Sequence, residues 1–318
     1  MRAFVFPGQG SQKIGMGVDL AQASAAARAV FQEVDEALGQ HLSRIMAEGP
    51  EDALTLTANA QPAIMANAMA TLRVLEAEGG FALAQKADFV AGHSLGEYTA
   101  LCAAGAFSLA DTARLLRRRG EAMQAAVPVG VGAMCALLGA DIDKAQALAE
   151  AAASDPETGA LEVCTVANDN DPGQVVLSGH KAAIERAIAL VKEHGIKRGV
   201  LLPVSAPFHC PLMAPAAAAM AEALGQCPPA AFTVPLFANV TAAVVTDPAE
   251  VQRLLVEQVC GRVRWRESAM AMKEAGVESF VELGGKVVAP MISRSAGDVA
   301  ITSIVTMADI EVLLKEIA

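Results

Sequence analysis

The stretch Phe89-Val90-Ala91-Gly92-His93-Ser94-Leu95-Gly96-Glu97 decides the reading of this chain. Phe89 to Ala91 is a short apolar run, the pattern of a buried strand. Tyr98-Thr99-Ala100-Leu101-Cys102-Ala103-Ala104 follows as a helix. Between them stands Gly92-x-Ser94-x-Gly96. A strand, a tight turn with glycine on both sides of a serine, and a helix together make a nucleophile elbow. The glycines allow strand and helix to approach closely. The strained turn exposes the serine hydroxyl at a helix N-terminus, where free N–H groups favour developing negative charge.

Working outward, strands and helices alternate on both sides of this elbow. Arg2 to Phe6 reads as a first strand running into the Gly-rich loop Pro7-Gly8-Gln9-Gly10-Ser11-Gln12. That loop has neither GxGxxG nor GK[ST] spacing, so it is not a dinucleotide or P-loop site. Asp19 to Leu38 is predicted as one helix, with Val30, Phe31, Val34 and Leu38 on one face. A long helix opens near Thr57, with Pro62 in its first turn, and runs to Glu78.

Ser108 caps the helix after the elbow. Leu109, Thr112, Ala113, Leu116, Gly120 and Met123 form its inward stripe, and Arg119 falls inside that stripe. An inward arginine needs an anionic partner, either a structural Glu or a ligand carboxylate. From Gly132 to Leu202 the order is β-α-β-β-α-β, a ferredoxin-like unit, with the acidic stretch Ala167 to Gly173 predicted as the loop between its middle strands. The fold expected is α/β: a large α/β-hydrolase-like domain with a parallel sheet, residues 1–128 and 199–318, and an inserted ferredoxin-like subdomain, residues 129–198.

Composition limits the function classes. The chain of 318 residues carries 24 Lys+Arg against 35 Asp+Glu, a formal charge of −11, which opposes nucleic-acid binding. Aromatics are only 4%, too few for base-stacking platforms. The six Cys are scattered with no CxxC pair, which argues against a zinc site or a disulfide framework. The N-terminal apolar run is too short for a signal segment, and the longest uncharged run, Ala125 to Ala140, is broken by Pro and Gly. A soluble, cytoplasmic protein is expected.

A serine nucleophile needs a base. Of the five histidines, His93 adjoins Ser94, but neighbours in such a turn diverge, and it reads as a brace. His41, His180 and His194 read as surface residues. His209, on a loop bounded by Pro207 and Pro211, is the candidate base. The order Ser then His matches α/β-hydrolase-like enzymes. No carboxylate stands out as the third, orienting group.

Six segments then occur in order: Pro7 to Gln12, Gln61-Pro62-Ala63, Gly92 to Glu97, Arg119-Gly120, Pro172 to Val176, and Ser205 to His209. Over essentially its full length the chain resembles the malonyl-CoA:acyl carrier protein transacylases of bacterial fatty acid synthesis, and beyond them the acyltransferase domains of polyketide synthases. The resemblance implies transfer of malonyl from malonyl-CoA to the phosphopantetheine thiol of acyl carrier protein, by ping-pong kinetics through a malonyl-serine.

It assigns Ser94 as nucleophile and His209 as base. The N–H groups of Gln9 and Leu95 become the oxyanion hole, Arg119 the partner of the malonyl carboxylate, and Gln258 the orienter of His209 through its main-chain carbonyl. Gln61 and Asn170 are implied to line the pocket, and Phe208 to crowd an α-methyl group. No permanently bound cofactor, metal or nucleic acid is implied. The transient, electrostatic partner, an acidic carrier protein, would need a local basic patch. Candidates are Lys181, Arg186, Lys192, Lys197 and Arg198, with Lys286 and Arg294. Two features depart from relatives: Gly261-Arg262 replaces an Asn-Pro-like pair, and Asn168 to Asp171 is unusually acidic for a neighbour of phosphorylated substrates. The rival readings are a serine hydrolase, a polyketide-pathway acyltransferase with another extender unit, and a non-catalytic docking module.

Overall fold

Hydrophobic runs too short and too unbroken for helices become the central strands. In a computed structural model, which describes residues 1–204 and 206–317, the chain begins with β1 (Arg2–Phe6), followed by α1 (Val18–Ala23), α2 (Ala25–Leu38), α3 (Leu42–Glu48), α4 (Glu51–Thr55) and α5 (Thr57–Gly79). The elbow follows as β2 (Phe89–Gly92) and α6 (Leu95–Ala104), then α7 (Leu109–Ala125). A second unit comprises β3 (Gly132–Leu138), α8 (Ile142–Ala153), β4 (Cys164–Asp171), β5 (Gln174–His180), α9 (Lys181–Leu190) and β6 (Arg198–Leu201). The chain then returns with α10 (Ala214–Gln226), β7 (Leu236–Ala238), β8 (Ala243–Val245), α11 (Pro248–Cys260), α12 (Trp265–Glu274), β9 (Ser279–Leu283), α13 (Val288–Ala296), β10 (Ala300–Ile304) and α14 (Met307–Ile317).

The larger sheet has the order β10-β9-β1-β2-β7-β8. All its pairings are parallel except β7–β8. β1 lies between β9 and β2, and Ala3 to Phe6 are buried on both faces, as a parallel strand covered by helices requires. The second sheet is antiparallel, with order β4-β5-β3-β6. Leu137, Val175 and Leu177 face a core shared with Leu148 and Ile184 of α8 and α9. Met134, Ala136 and Val176, on the opposite face, join the main core.

Two helix contacts position the site. α5 is buried nearly all round and rich in alanine, so it sits deep beside the sheet. α7 crosses it where Gly120 faces Ala58: a Cβ on Gly120 would lie 2.6 Å from the Ala58 Cα. This close crossing brings Arg119 of α7 beside Gln61 of α5.

Two expectations are corrected, and one strand is added. The helix 19–38 is broken at Ser24, whose backbone is extended and whose Oγ accepts from the Ala26 N–H, so it caps α2. The acidic stretch 167–173 is not a loop, because β4 continues through two register shifts to Asp171. Its carboxylates read as loop residues, but they are buried ion-pair partners. Asp169 accepts from Arg266 at 3.0 and 2.8 Å, and Asp171 pairs with Arg294 at 2.7 Å. The Asp169 N–H and the Ala167 carbonyl also bond to Val263. The second sheet is thereby stitched to the segment before α12. Finally, β8 is an unexpected edge strand, short and mostly exposed. No helix among the described residues is long and apolar enough to cross a membrane.

Candidate active site

The elbow exists because two side chains are missing. A Cβ on Gly92 would lie 1.9 Å from the Gly96 carbonyl oxygen, and one on Gly96 would lie 2.5 Å from that of Phe6. With both absent, the turn closes and Ser94 takes φ 54°, ψ −109°, strained for a residue with a Cβ. An asparagine holds the strain. The Oδ1 of Asn239, at the end of β7, accepts from the Ser94 N–H at 2.8 Å, and its Nδ2 donates to the Gly92 carbonyl at 2.7 Å.

His209 lies on the loop before α10 and also has positive φ, 57°. Its Nε2 is 2.8 Å from Ser94 Oγ, and its Nδ1 is 2.8 Å from the main-chain carbonyl of Gln258 on α11. A carbonyl only accepts, so Nδ1 carries the proton and Nε2 presents its lone pair to the serine hydroxyl. Burial, together with the Arg119 cation, pushes the imidazole down to about 3. The resting ring is neutral and able to take a proton.

Arg119 is 1% exposed. Its Nη1 donates to Gln61 Oε1 at 2.9 Å; its Nη2 donates to Gln258 Oε1 at 2.9 Å and to Ser94 Oγ at 3.1 Å. Its Nε has no hydrogen-bond partner among the described residues. Every partner is neutral, and no carboxylate of the described residues lies within ion-pairing distance of the guanidinium. The structural Glu considered for it in the sequence is therefore not a direct contact. Burial lowers its pKa.

These groups open on a cavity of about 360 Å³ lined by Gln9, Gln61, Ser94, Leu95, Arg119, Asn170, Phe208 and His209, among others. Gln258 stands behind this wall. Leu95 is the first residue of α6, and its N–H, like that of Gln9, meets no acceptor among the described residues. Asn170 is tied to His93 (Oδ1 to Nε2, 2.8 Å), which also packs against Trp265 at 5.6 Å, so His93 braces the turn. Ser205 lies outside the described residues.

Of the basic candidates, Lys181, Arg186 and Arg294 are engaged with Glu185, Glu162 and Asp171. Lys192, Lys197, Arg198 and Lys286 are exposed.

Two residues at this centre were not singled out from sequence. Asn239, just past β7, belongs to no motif of the sequence. Glu97 stands in the elbow motif without an expected role; it is 1% exposed, and its Oε2 accepts from Gln258 Nε2 at 2.9 Å and from the Asn239 N–H at 3.0 Å. The available signal is its place one residue past the second elbow glycine, on the first turn of a helix buried at every position but Ala103.

The chain matches the model of the acyl transferase domain over residues 3–299. It is 45% identical over 293 residues to the malonyl CoA-acyl carrier protein transacylase of Bacillus subtilis, covering 92% of this chain and 89% of that one. The chain belongs to the malonyl CoA-acyl carrier protein transacylase family. The Escherichia coli K12 member is 43% identical over 294 residues, with 92% of each chain covered. The acyl-carrier-protein-S-malonyltransferase of Bartonella henselae superposes with TM-score 0.94 at 51% identity, over 99% of both chains. Another malonyl-transacylase of the family, solved in complex with a type II PKS acyl-carrier protein, superposes with TM-score 0.93 at 36% identity, again over 99% of both.

Proposed function

We propose that this chain moves malonyl from malonyl-CoA to the phosphopantetheine thiol of an acyl carrier protein by way of a malonyl ester on Ser94. The observation that carries this reading is Arg119: a buried guanidinium with only neutral partners, 3.1 Å from the hydroxyl of a strained serine that faces a neutral histidine. A serine hydrolase of neutral esters needs no such cation.

The steps follow from the geometry. The malonyl carboxylate pairs with Arg119, which places the thioester carbonyl near Ser94. Ser94 Oγ attacks while His209 Nε2 takes its proton. The carbonyl oxygen, now negative, is held by the Leu95 N–H at the start of α6 and the Gln9 N–H of the loop after β1. The Gln258 carbonyl keeps the ring in the needed tautomer and supports the imidazolium. The tetrahedral centre collapses, the C–S bond breaks, and CoA leaves with the proton from His209. The carrier protein's thiol then runs the same steps in reverse on the ester.

Substrate binding also tunes the base. Arg119 depresses the His209 pKa, so pairing the guanidinium with a carboxylate relieves part of that depression when the proton must move. Gln61 and Gln258 preposition the guanidinium, and Phe208 narrows the cavity beside His209.

The architecture we infer is an α/β-hydrolase-like domain, residues 1–128 and 199–318, with a ferredoxin-like insertion, residues 129–198. The strand order β4-β5-β3-β6 with helices after β3 and β5 supports the second assignment. We place its work in the cytoplasm, with malonyl-CoA and the carrier's phosphopantetheine arm as substrates and no resident cofactor. Initial rates over a grid of malonyl-CoA and phosphopantetheinylated carrier protein test the reading. Parallel double-reciprocal lines are expected; intersecting lines, or no transfer, overturn it.

A further inference from the structure

Glu97 has no step in the reaction above, yet it sits at the centre of the buried polar cluster. Its Oε2 receives two hydrogen bonds, from Gln258 Nε2 and from the Asn239 N–H. Gln258 Nε2 also donates to the Ser94 carbonyl at 3.0 Å, while its Oε1 faces Arg119 Nη2 at 2.9 Å. The Nε2 contacts are all acceptors, so the amide cannot flip without losing them. One side-chain amide thus joins a buried carboxylate to a buried guanidinium that have no direct contact. A buried cation without a countercharge is costly. Among the described residues, Glu97 is the carboxylate that supplies that charge.

We infer that Glu97 is the resident counter-charge of Arg119, coupled to it through Gln258, and that it takes up a proton from solvent when an acyl group bearing a free carboxylate pairs with the guanidinium. The inference rests on Arg119 as the malonyl-binding residue. Before substrate arrives, the cluster holds one cation and one anion. A malonyl carboxylate adds a second anion to a desolvated site, and one of the two must be neutralised. The malonyl carboxylate makes the direct ion pair. Glu97 is the group that can accept a proton without breaking the network, because both of its donors bind Oε2 and leave Oε1 to carry the hydrogen.

Its surroundings fit this role. Burial raises the Glu97 carboxyl to about 7, against the hydrogen bonds and the attraction of Arg119 that lower it. The ionisable groups facing it are Arg119 from α7 and Tyr98 from its own helix. β2 and β7, packed beneath, contain none. Neighbouring α11 presents the neutral Gln258, and the neutral His209 lies beyond Ser94. Glu97 is therefore a positioning and charge-balancing residue rather than one that touches substrate.

The test counts protons. The unmodified protein is mixed with malonyl-CoA at pH about 8 in weakly buffered indicator solution, and the serine ester is counted by mass spectrometry in the same samples. More than roughly half a proton taken up per malonyl ester is expected, and essentially none with acetyl-CoA, which carries the same phosphates. In Glu97→Gln, whose amide oxygen can accept both network bonds, the malonyl-linked uptake is expected to vanish. In parallel, kcat/KM for malonyl-CoA should fall with rising pH above about 7, by up to tenfold per unit, and become flat in the variant. A purely structural Glu97 would lower activity equally at every pH and leave proton uptake unchanged. Malonyl ester formed by the unmodified protein with no proton uptake overturns the inference and leaves the proposed reaction standing. Absence of any ester on Ser94 overturns both. If Glu97→Gln does not fold, the malonyl-against-acetyl difference in the unmodified protein decides the matter alone.

Discussion

Replacing Arg119 with methionine keeps most of the side-chain volume and removes only the fork of donors. In the unliganded site, Nη1 and Nη2 bond to Gln61, Gln258 and Ser94. A malonyl carboxylate would exchange neutral acceptors for a charged one in a water-poor cavity. Hydrogen bonds to charged groups are worth about 1.5–3 kcal/mol each, so two of them give about 3–6 kcal/mol. Part of that is offset by the amide contacts given up, leaving about 3–4 kcal/mol. The variant should therefore lose about 10²–10³ in kcat/KM for malonyl-CoA, at about 1.4 kcal/mol per decade. Transfer of acetyl, which has no carboxylate to pair, should change by less than about threefold. The assay is transfer to phosphopantetheinylated carrier protein with each acyl-CoA, read as the malonyl-to-acetyl ratio of kcat/KM. A ratio within about threefold of the unmodified protein's refutes the reasoning, because the guanidinium would then not be reading the carboxylate.

Two further outcomes follow from charge placement. Because the buried His209 is neutral with its pKa lowered from 6.5 to about 3, kcat/KM should show no acid limb near 6.5. By linkage, the stability tied to this ring is present above 6.5 and lost as pH falls toward 3, so acid unfolding should set in within that window; both are read from pH profiles of rate and of Tm. Asp169→Asn weakens the bonds from Arg266 that fasten β4 to α12 and should lower stability by about 1–3 kcal/mol in denaturant titrations, whereas an exposed pair such as Arg44–Glu48 should contribute little.

How far the sequence could be read depended on how local each cause was. β1, β2 and β9 are apolar runs bounded by turns, and the elbow is a five-residue pattern whose glycines are explained by contacts within it and with β1. Helical spacing alone turns Arg119 inward, and it is buried. Other features have distant causes. β4 looked like a polar loop because the arginines that neutralise Asp169 and Asp171 lie 97 and 123 residues away. Ser24 looked helical because its capping role depends on a change of direction that no periodicity records. Ser94 and His209 are 115 residues apart, and their pairing was expected from residue type, loop context and resemblance. The Gln258 carbonyl came from resemblance alone, since a main-chain acceptor has no sequence signature. Asn239 and Glu97 carry no local signature, because their importance lies in bonds to each other and to the elbow across about 140 residues of chain.

The most direct test of the account is to quench a mixture of the protein and malonyl-CoA in acid, digest it and weigh the peptide that contains Ser94. The expected result is the added mass of one malonyl group on Ser94, discharged when phosphopantetheinylated carrier protein is added before the quench. An unmodified Ser94 peptide under turnover, or the malonyl group on another residue, would contradict it.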